Sequence, residues 1–319
     1  MYKQKQMKIK LKTPLRHRAA SEISLPLPDG FNFLATVYSH GWCSLPPFSV
    51  DKENGSLQTV ITLNKRTNIP VRLLPIPLGQ SKNSRLHVSV ERGNVLSKIE
   101  KETIKNAVHA IFRLDEPFDE FYAEASRYSA FRWVKRIGAG RMLRSQTVFE
   151  DVVKMICTTN CSWALTETMV KNFVEKLGDN AFPTPEAIAS VTEKFLRKEI
   201  RCGYRAPYLL ELARRVSSGE LLMEEWRTSD LPTEELFLRV RSVKGMGDYA
   251  AGNIMRLLGR YDYLAIDSWC RGKFFELHKN GRKVKDSTIE KFYAPYGKWR
   301  GLFFWLDLTK YWYKKKFPF

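Results

Sequence analysis

The chain has 319 residues, 44% of them hydrophobic, and carries 53 Lys and Arg against 34 Asp and Glu, a formal charge of +19. That length allows a core large enough for two domains, and the charge points to a polyanionic partner, most simply nucleic acid, bound in a salt-dependent way. No apolar run is long enough to span a membrane, and five scattered cysteines, Cys43, Cys157, Cys161, Cys202 and Cys270, do not read as a disulfide framework.

Residues 1–21 hold seven Lys or Arg and no acid, and they lack the apolar core of a secretory signal. They read as a basic, disordered arm, with an organelle transit peptide as the alternative. Residues 22–130 read as an N-terminal α/β domain built on an antiparallel sheet. Its strands are expected at Leu57–Leu63, Val71–Leu74 and Leu86–Val90, where apolar residues alternate or cluster between turn-forming residues. The run Phe33–Tyr38 fits a strand or a helix. From about residue 96 the spacing becomes helical, with Leu96, Ile99, Ile104, Val108, Ile111 and Phe112 on one face.

Residues 131–319 are expected to form a mainly α-helical domain, giving an α+β fold overall. Ser145 is placed to cap a helix running to Cys157, and the polar break Thr158–Ser162 separates it from a helix over Trp163–Leu177 that stops at Gly178. Arg201–Ala206 reads as a turn between helices. A helix–hairpin–helix is predicted at about 233–259: Thr233 caps the first helix, Gly245-Met246-Gly247 makes the turn, and Asp248 caps a second helix that Gly259 ends. The exposed N–H groups at the start of that second helix form an anion site suited to a DNA phosphate. Asp267 follows the apolar run Tyr263–Ile266, where it can cap a helix starting at Ser268, act as a catalytic acid, or do both.

The segment Val243–Arg271 resembles the helix–hairpin–helix and Gly/Pro-rich loop plus Asp of the HhH-GPD DNA glycosylases. Ile156–Asn160 resembles the "C-S-S-N" break of the 8-oxoguanine branch, Gly203–Ala206 its "G-Y-R-A" turn, and Pro295–Trp299 its late "P-Y-x-x-W". These matches cover roughly residues 130–310. The resemblance implies damaged double-stranded DNA as partner, a monomer, and a base flipped out of the duplex. It makes Asp267 the catalytic aspartate, and Gly245, Met246, Gly247 and Asp248 the backbone-binding hairpin. The carbonyls of Arg241, Val243 and Met246 correspond to those that hold K⁺ or Na⁺ in relatives. Asn160 would enter the vacated space, Tyr204 would wedge beside it, and Arg205 would address the estranged base. A four-Cys iron–sulfur loop has no counterpart, since only Cys270 lies beyond the hairpin.

Departures from the pattern narrow the chemistry. Bifunctional relatives carry Lys at the position of Tyr249, and a phenol cannot form a Schiff base. A monofunctional enzyme that uses water is therefore expected, with Lys244 facing elsewhere. An aromatic residue at this position resembles the type II 3-methyladenine glycosylases, whose aromatic pockets stack on cationic alkylated bases. Trp305 stands where the oxoguanine branch has a stacking Phe, although its surroundings also read as a buried helix. Gly301 replaces that branch's base-reading Gln, Asn253 its pocket Cys, Leu165 one of its two cytosine-reading Arg residues, and Trp269 a phosphate-contacting His. The expected activity is excision of a damaged purine, alkylated rather than oxidised, in the cytoplasm beside the nucleoid or in the nucleus. An 8-oxoguanine glycosylase with a remodelled pocket and a non-catalytic hairpin protein are the alternatives.

Overall fold

The computed structural model describes residues 20–64, 67–75, 84–92, 94–314 and 317. Five strands form one antiparallel sheet: β1 (Ala20–Pro26), β2 (Ser49–Asp51), β3 (Ser56–Asn64), β4 (Thr67–Pro75) and β5 (Arg85–Glu91), in the order β1-β5-β4-β3-β2. Leu57 lies opposite Leu73, and Val88 opposite both Ile23 and Leu73. All four are buried, so one face of the sheet is apolar. The helix Lys98–Phe112 supplies Ile104, Val108, Ile111 and Phe112 to the same core, and a capping box between Ser97 and Glu100 fixes its start. That core continues without a break into the helical region through Val152, Ile156, Val170 and Ile254.

The expected strands at 57–63, 71–74 and 86–90 are present as parts of longer ones. The run from Phe33 is a helix, Phe33–Val37, because Asn32 caps it by accepting the Ala35 N–H. The basic arm lies outside the described residues up to residue 19. Ala20 and Ser21, assigned to it, instead pair with Glu91 and Val90 in β1. Thr147 rather than Ser145 caps the helix Val148–Thr158, because the Ser145 N–H and hydroxyl are engaged with Asp151 and Lys154. Ile99, assigned to the apolar face, is 79% exposed.

The helical region places the hairpin against the rest of the molecule. Its helices are Thr233–Arg241 and Asp248–Leu257, followed by Ser268–His278 and, near the C-terminus, Arg300–Thr309. Neither expected hairpin cap is present. Pro232 stands at the first helix's N-cap and Gly247 at the second's, while Asp248 is already helical and pairs with Arg241 at 2.5 Å. Gly245 has φ +89°, and a Cβ there would lie 3.0 Å from the Tyr208 ring, so both conformation and space require glycine.

The segment Tyr261–Asp267 is pinned between two helices at positions that lack side chains. A Cβ on Gly301 would stand 2.1 Å from the Tyr263 carbonyl oxygen, and the Gly301 N–H donates to the Tyr261 carbonyl at 2.7 Å. On the other side a Cβ on Gly252 would stand 3.0 Å from the Ala265 Cβ. Gly301 is therefore a close-packing residue, with no room for the Gln of the oxoguanine branch. Gly301→Ala must push the segment away from the Arg300–Thr309 helix. Chemical denaturation should show a stability loss of about 1–3 kcal/mol, the usual range for overpacking.

Candidate active site

A cavity of about 510 Å³ opens between the hairpin's second helix, the Asp267 loop, the Arg300–Thr309 helix and the turn after Val37. Its walls include Trp42, Trp163, Tyr249, Trp269, Trp305, Tyr311 and Trp312, together with Asn253, Arg256, Asp267 and His40. Five tryptophans and two tyrosines make it an aromatic chamber. None of the described residues lining it is a lysine.

Asp267 caps the Ser268–His278 helix, its Oδ1 accepting the Cys270 N–H at 2.7 Å. This fixes a carboxylate at a helix N-terminus, where partial positive charge favours it. Ala265, two residues earlier, has φ +55°, a left-handed conformation rare for a residue with a side chain. The absence of a side chain at Gly252 makes room for that kink. Tyr249 lies against the same carboxylate. Burial first, and then the Asp267 charge, raise its pKa, so the phenol stays protonated.

Arg256 is fully buried in the cavity wall. Its Nη2 donates to the Leu264 carbonyl at 2.9 Å and its Nη1 to Asn253 Oδ1 at 3.2 Å, while the guanidinium lies 5.1 Å from the centre of the Trp305 ring. Burial pulls its pKa below the usual arginine range. Asn253 is held at both ends, since its Nδ2 also donates to the Tyr249 carbonyl at 3.0 Å. Trp305 is only partly buried and its indole N–H donates to the Ser39 carbonyl at 2.9 Å, so it is a tethered wall of the cavity.

A second cluster lies at the exposed end of the Val148–Thr158 helix. Asn160 has φ +48°, and its Nδ2 lies 3.3 Å from the Tyr204 hydroxyl. Tyr204 is 46% exposed. Arg205 departs from its expected placement. It is buried, its Nε donates to the Ile156 carbonyl at 3.1 Å, its Nη2 donates to the Thr159 carbonyl, and its guanidinium lies under the Tyr204 ring. It holds the Asn160 loop and the Tyr204 ring instead of reaching outward. Lys244 pairs with Glu211 at 2.6 Å and does not line the cavity.

The sequence alone did not point to His40, Trp42 or Arg256. The first two lie in the N-terminal region, more than 200 residues before Asp267, and Arg256 occupies a helical position that reads as a solvated charge. The clustered His40-Gly41-Trp42, polar and aromatic together in a short turn, was the available signal.

The family model described as the HhH-GPD superfamily of base excision DNA repair proteins matches residues 153–293, which span the Asn160 loop, the hairpin and Asp267. That stretch is less than half of the chain, and over it the chain is similar to the HhH-GPD superfamily. The DNA-3-methyladenine glycosylase of Bacillus subtilis (strain 168) is 24% identical over 212 residues, 63% of this chain and 69% of that relative. The structure is similar to the 3-methyladenine DNA glycosylase of Archaeoglobus fulgidus, with a TM-score of 0.70 and 20% identity over 91% of this chain and 99% of that one. It is also similar to the Clostridium acetobutylicum 8-oxoguanine glycosylase/lyase in complex with DNA containing cytosine opposite 8-oxoguanine, with a TM-score of 0.63 and 21% identity over 86% and 92%. These two proteins share the α+β fold described above. No described helix is long and apolar enough to cross a membrane.

Buried His40 makes the cavity sensitive to acid. Burial lowers its pKa from 6.5 to about 4, offset in part by the Leu143 carbonyl and Asp151 and reinforced by Arg256 and Lys154. Between those values the unfolded chain binds a proton that the folded chain does not, so stability falls as pH falls through this window and is unaffected above it. The contribution reaches about 3 kcal/mol below pH 4. Denaturation midpoints should therefore drop less steeply between pH 6.5 and 4 for His40→Gln than for the unaltered protein.

Proposed function

We propose that this protein is a monofunctional DNA glycosylase that flips an alkylated purine out of damaged double-stranded DNA and hydrolyses its N-glycosidic bond. The observation that carries the reading is the pairing of Tyr249 with Asp267 in an aromatic chamber with no lysine among the described residues that line it. Aromatic walls suit an electron-poor alkylated base, which stacks on Trp305 and its neighbours. The Asp267 carboxylate balances the Arg256 guanidinium, and His40 is neutral, so the empty cavity presents no excess charge to repel such a base.

In the reaction the bond between sugar C1′ and the base nitrogen breaks, and its electron pair leaves with the base. Positive charge grows on the sugar, and the fixed Asp267 carboxylate stabilises it. A water oxygen then bonds to C1′ and loses a proton toward Asp267 or solvent, leaving an intact abasic site. Tyr249, kept protonated, supplies a wall and a hydrogen-bond donor in place of an attacking amine.

The duplex is held by three features. The Gly245 and Gly247 N–H groups of the turn face a phosphate, with Asp248 kept beside them by Arg241. The carbonyls of Arg241, Val243 and Met246 form a donor set that suits K⁺ or Na⁺; Val243 O already accepts the Met246 N–H at 3.0 Å, which leaves it one lone pair for an ion. Asn160 and Tyr204 fill the space the base vacates, and Arg205 braces them from beneath. The protein acts as a monomer and needs no redox cofactor for this chemistry.

Asp267→Asn tests the assignment. The amide keeps a cap acceptor for the Cys270 N–H but loses the charge. Binding to damaged duplex should persist while single-turnover base release slows by about 100-fold or more. Release at the unaltered rate would remove Asp267 from the chemistry. Borohydride should trap no protein–DNA adduct, and a trapped adduct would show that an amine takes part.

A further inference from the structure

His40 lines the cavity but has no role in bond cleavage. Its Nε2 lies 2.7 Å from the Leu143 carbonyl oxygen. A carbonyl can only accept, so Nε2 carries the ring proton. Burial holds the imidazole neutral at physiological pH, and that single proton is therefore on Nε2. Nδ1 is left with a bare lone pair. Among the described residues the ring's one hydrogen bond is that of Nε2 to Leu143, and Nδ1 is not among the buried atoms left without a partner, so it stays open to the cavity. Neighbouring polar groups are already engaged: Asn253 at both ends, the Trp42 indole N–H with Asp151, and the Trp305 indole N–H with Ser39.

We propose that His40 reads the base: its Nδ1 accepts a hydrogen bond from the exocyclic amine of a 6-aminopurine and so selects alkylated 6-aminopurines over their 6-oxo counterparts. This rests on the glycosylase reading above and adds a specificity residue to it. A 6-oxo group would set its lone pairs against that of Nδ1 and leave two acceptors unpaired once the base has displaced water from the cavity. The ring cannot adapt by moving its proton to Nδ1, because the buried Leu143 carbonyl would then lose its donor. His40 therefore presents a fixed acceptor, set by the backbone of a different part of the chain from the one that carries Asp267.

The test compares single-turnover release of 7-methyladenine and 7-methylhypoxanthine from duplexes of the same sequence, each rate divided by the spontaneous release of that base. The unaltered protein should favour the 6-amino base by about tenfold or more. In His40→Phe, which keeps a ring beside Trp42, the ratio should fall close to one. Because the ratio is taken within one preparation, a loss of folded protein cancels. Should the Phe variant fail to fold, 7-methylpurine, with hydrogen in place of the amine, serves with the unaltered protein; release slowed about tenfold relative to 7-methyladenine is expected, and equal release overturns the proposal. No preference in the unaltered protein, or a preference that His40→Phe retains, overturns the His40 proposal alone. Release of neither base by the unaltered protein overturns the alkylpurine reading and the proposal with it.

Discussion

The segment Tyr261–Asp267 is held where two helices come too close for any side chain, and the site depends on that clamp. Gly301 lies under the Tyr263 carbonyl and Gly252 against Ala265. Between them the backbone turns through a left-handed Ala265 and delivers Asp267 to the start of a helix, where the Cys270 amide fixes its carboxylate. Such a conformation is costly and persists only where packing over-determines it. Arg256 completes the clamp by binding the Leu264 carbonyl from the helix that also carries Tyr249. The acid, the phenol beside it and the Trp305 wall are thus parts of one tightly packed unit.

That unit explains how a shared fold can carry a different pocket. Backbone contacts and glycines hold the hairpin, the loop and the acid in fixed relation. The side chains facing inward are then free to vary. Tyr249, Trp305, the other tryptophans of the helical region and Trp42 from the N-terminal region give this chain an aromatic chamber, and Gly301 rules out a glutamine reader at its position on steric grounds. His40 reaches the same chamber from the turn after Val37, so the sheet domain contributes directly to the pocket.

Much of this was legible in the residues themselves. The hairpin was visible because glycines at 245 and 247 interrupt a helical pattern, and Asp267 because an isolated acid follows an apolar run. Three strands were visible from alternation. What escaped has physical reasons. The Phe33 run reads equally as strand or helix until Asn32 is known to cap it. Asp248 and Thr233 are good caps by residue type, but the backbone places each one position inside its helix. Arg205 and Arg256 look like surface charges by sequence, yet both are buried because backbone carbonyls, Ile156 and Thr159 for one and Leu264 for the other, accept their protons. A guanidinium satisfied by main-chain oxygens leaves no charge partner in the sequence to announce it.

The most direct measurement is the identity of both products after the protein acts on duplexes carrying alkylated, oxidised or deaminated bases, read by mass spectrometry. Free alkylated purine together with a strand bearing an intact abasic site is the expected result. Release of 8-oxoguanine in preference to alkylated purines, or a strand cleaved by elimination at the abasic sugar, would contradict it.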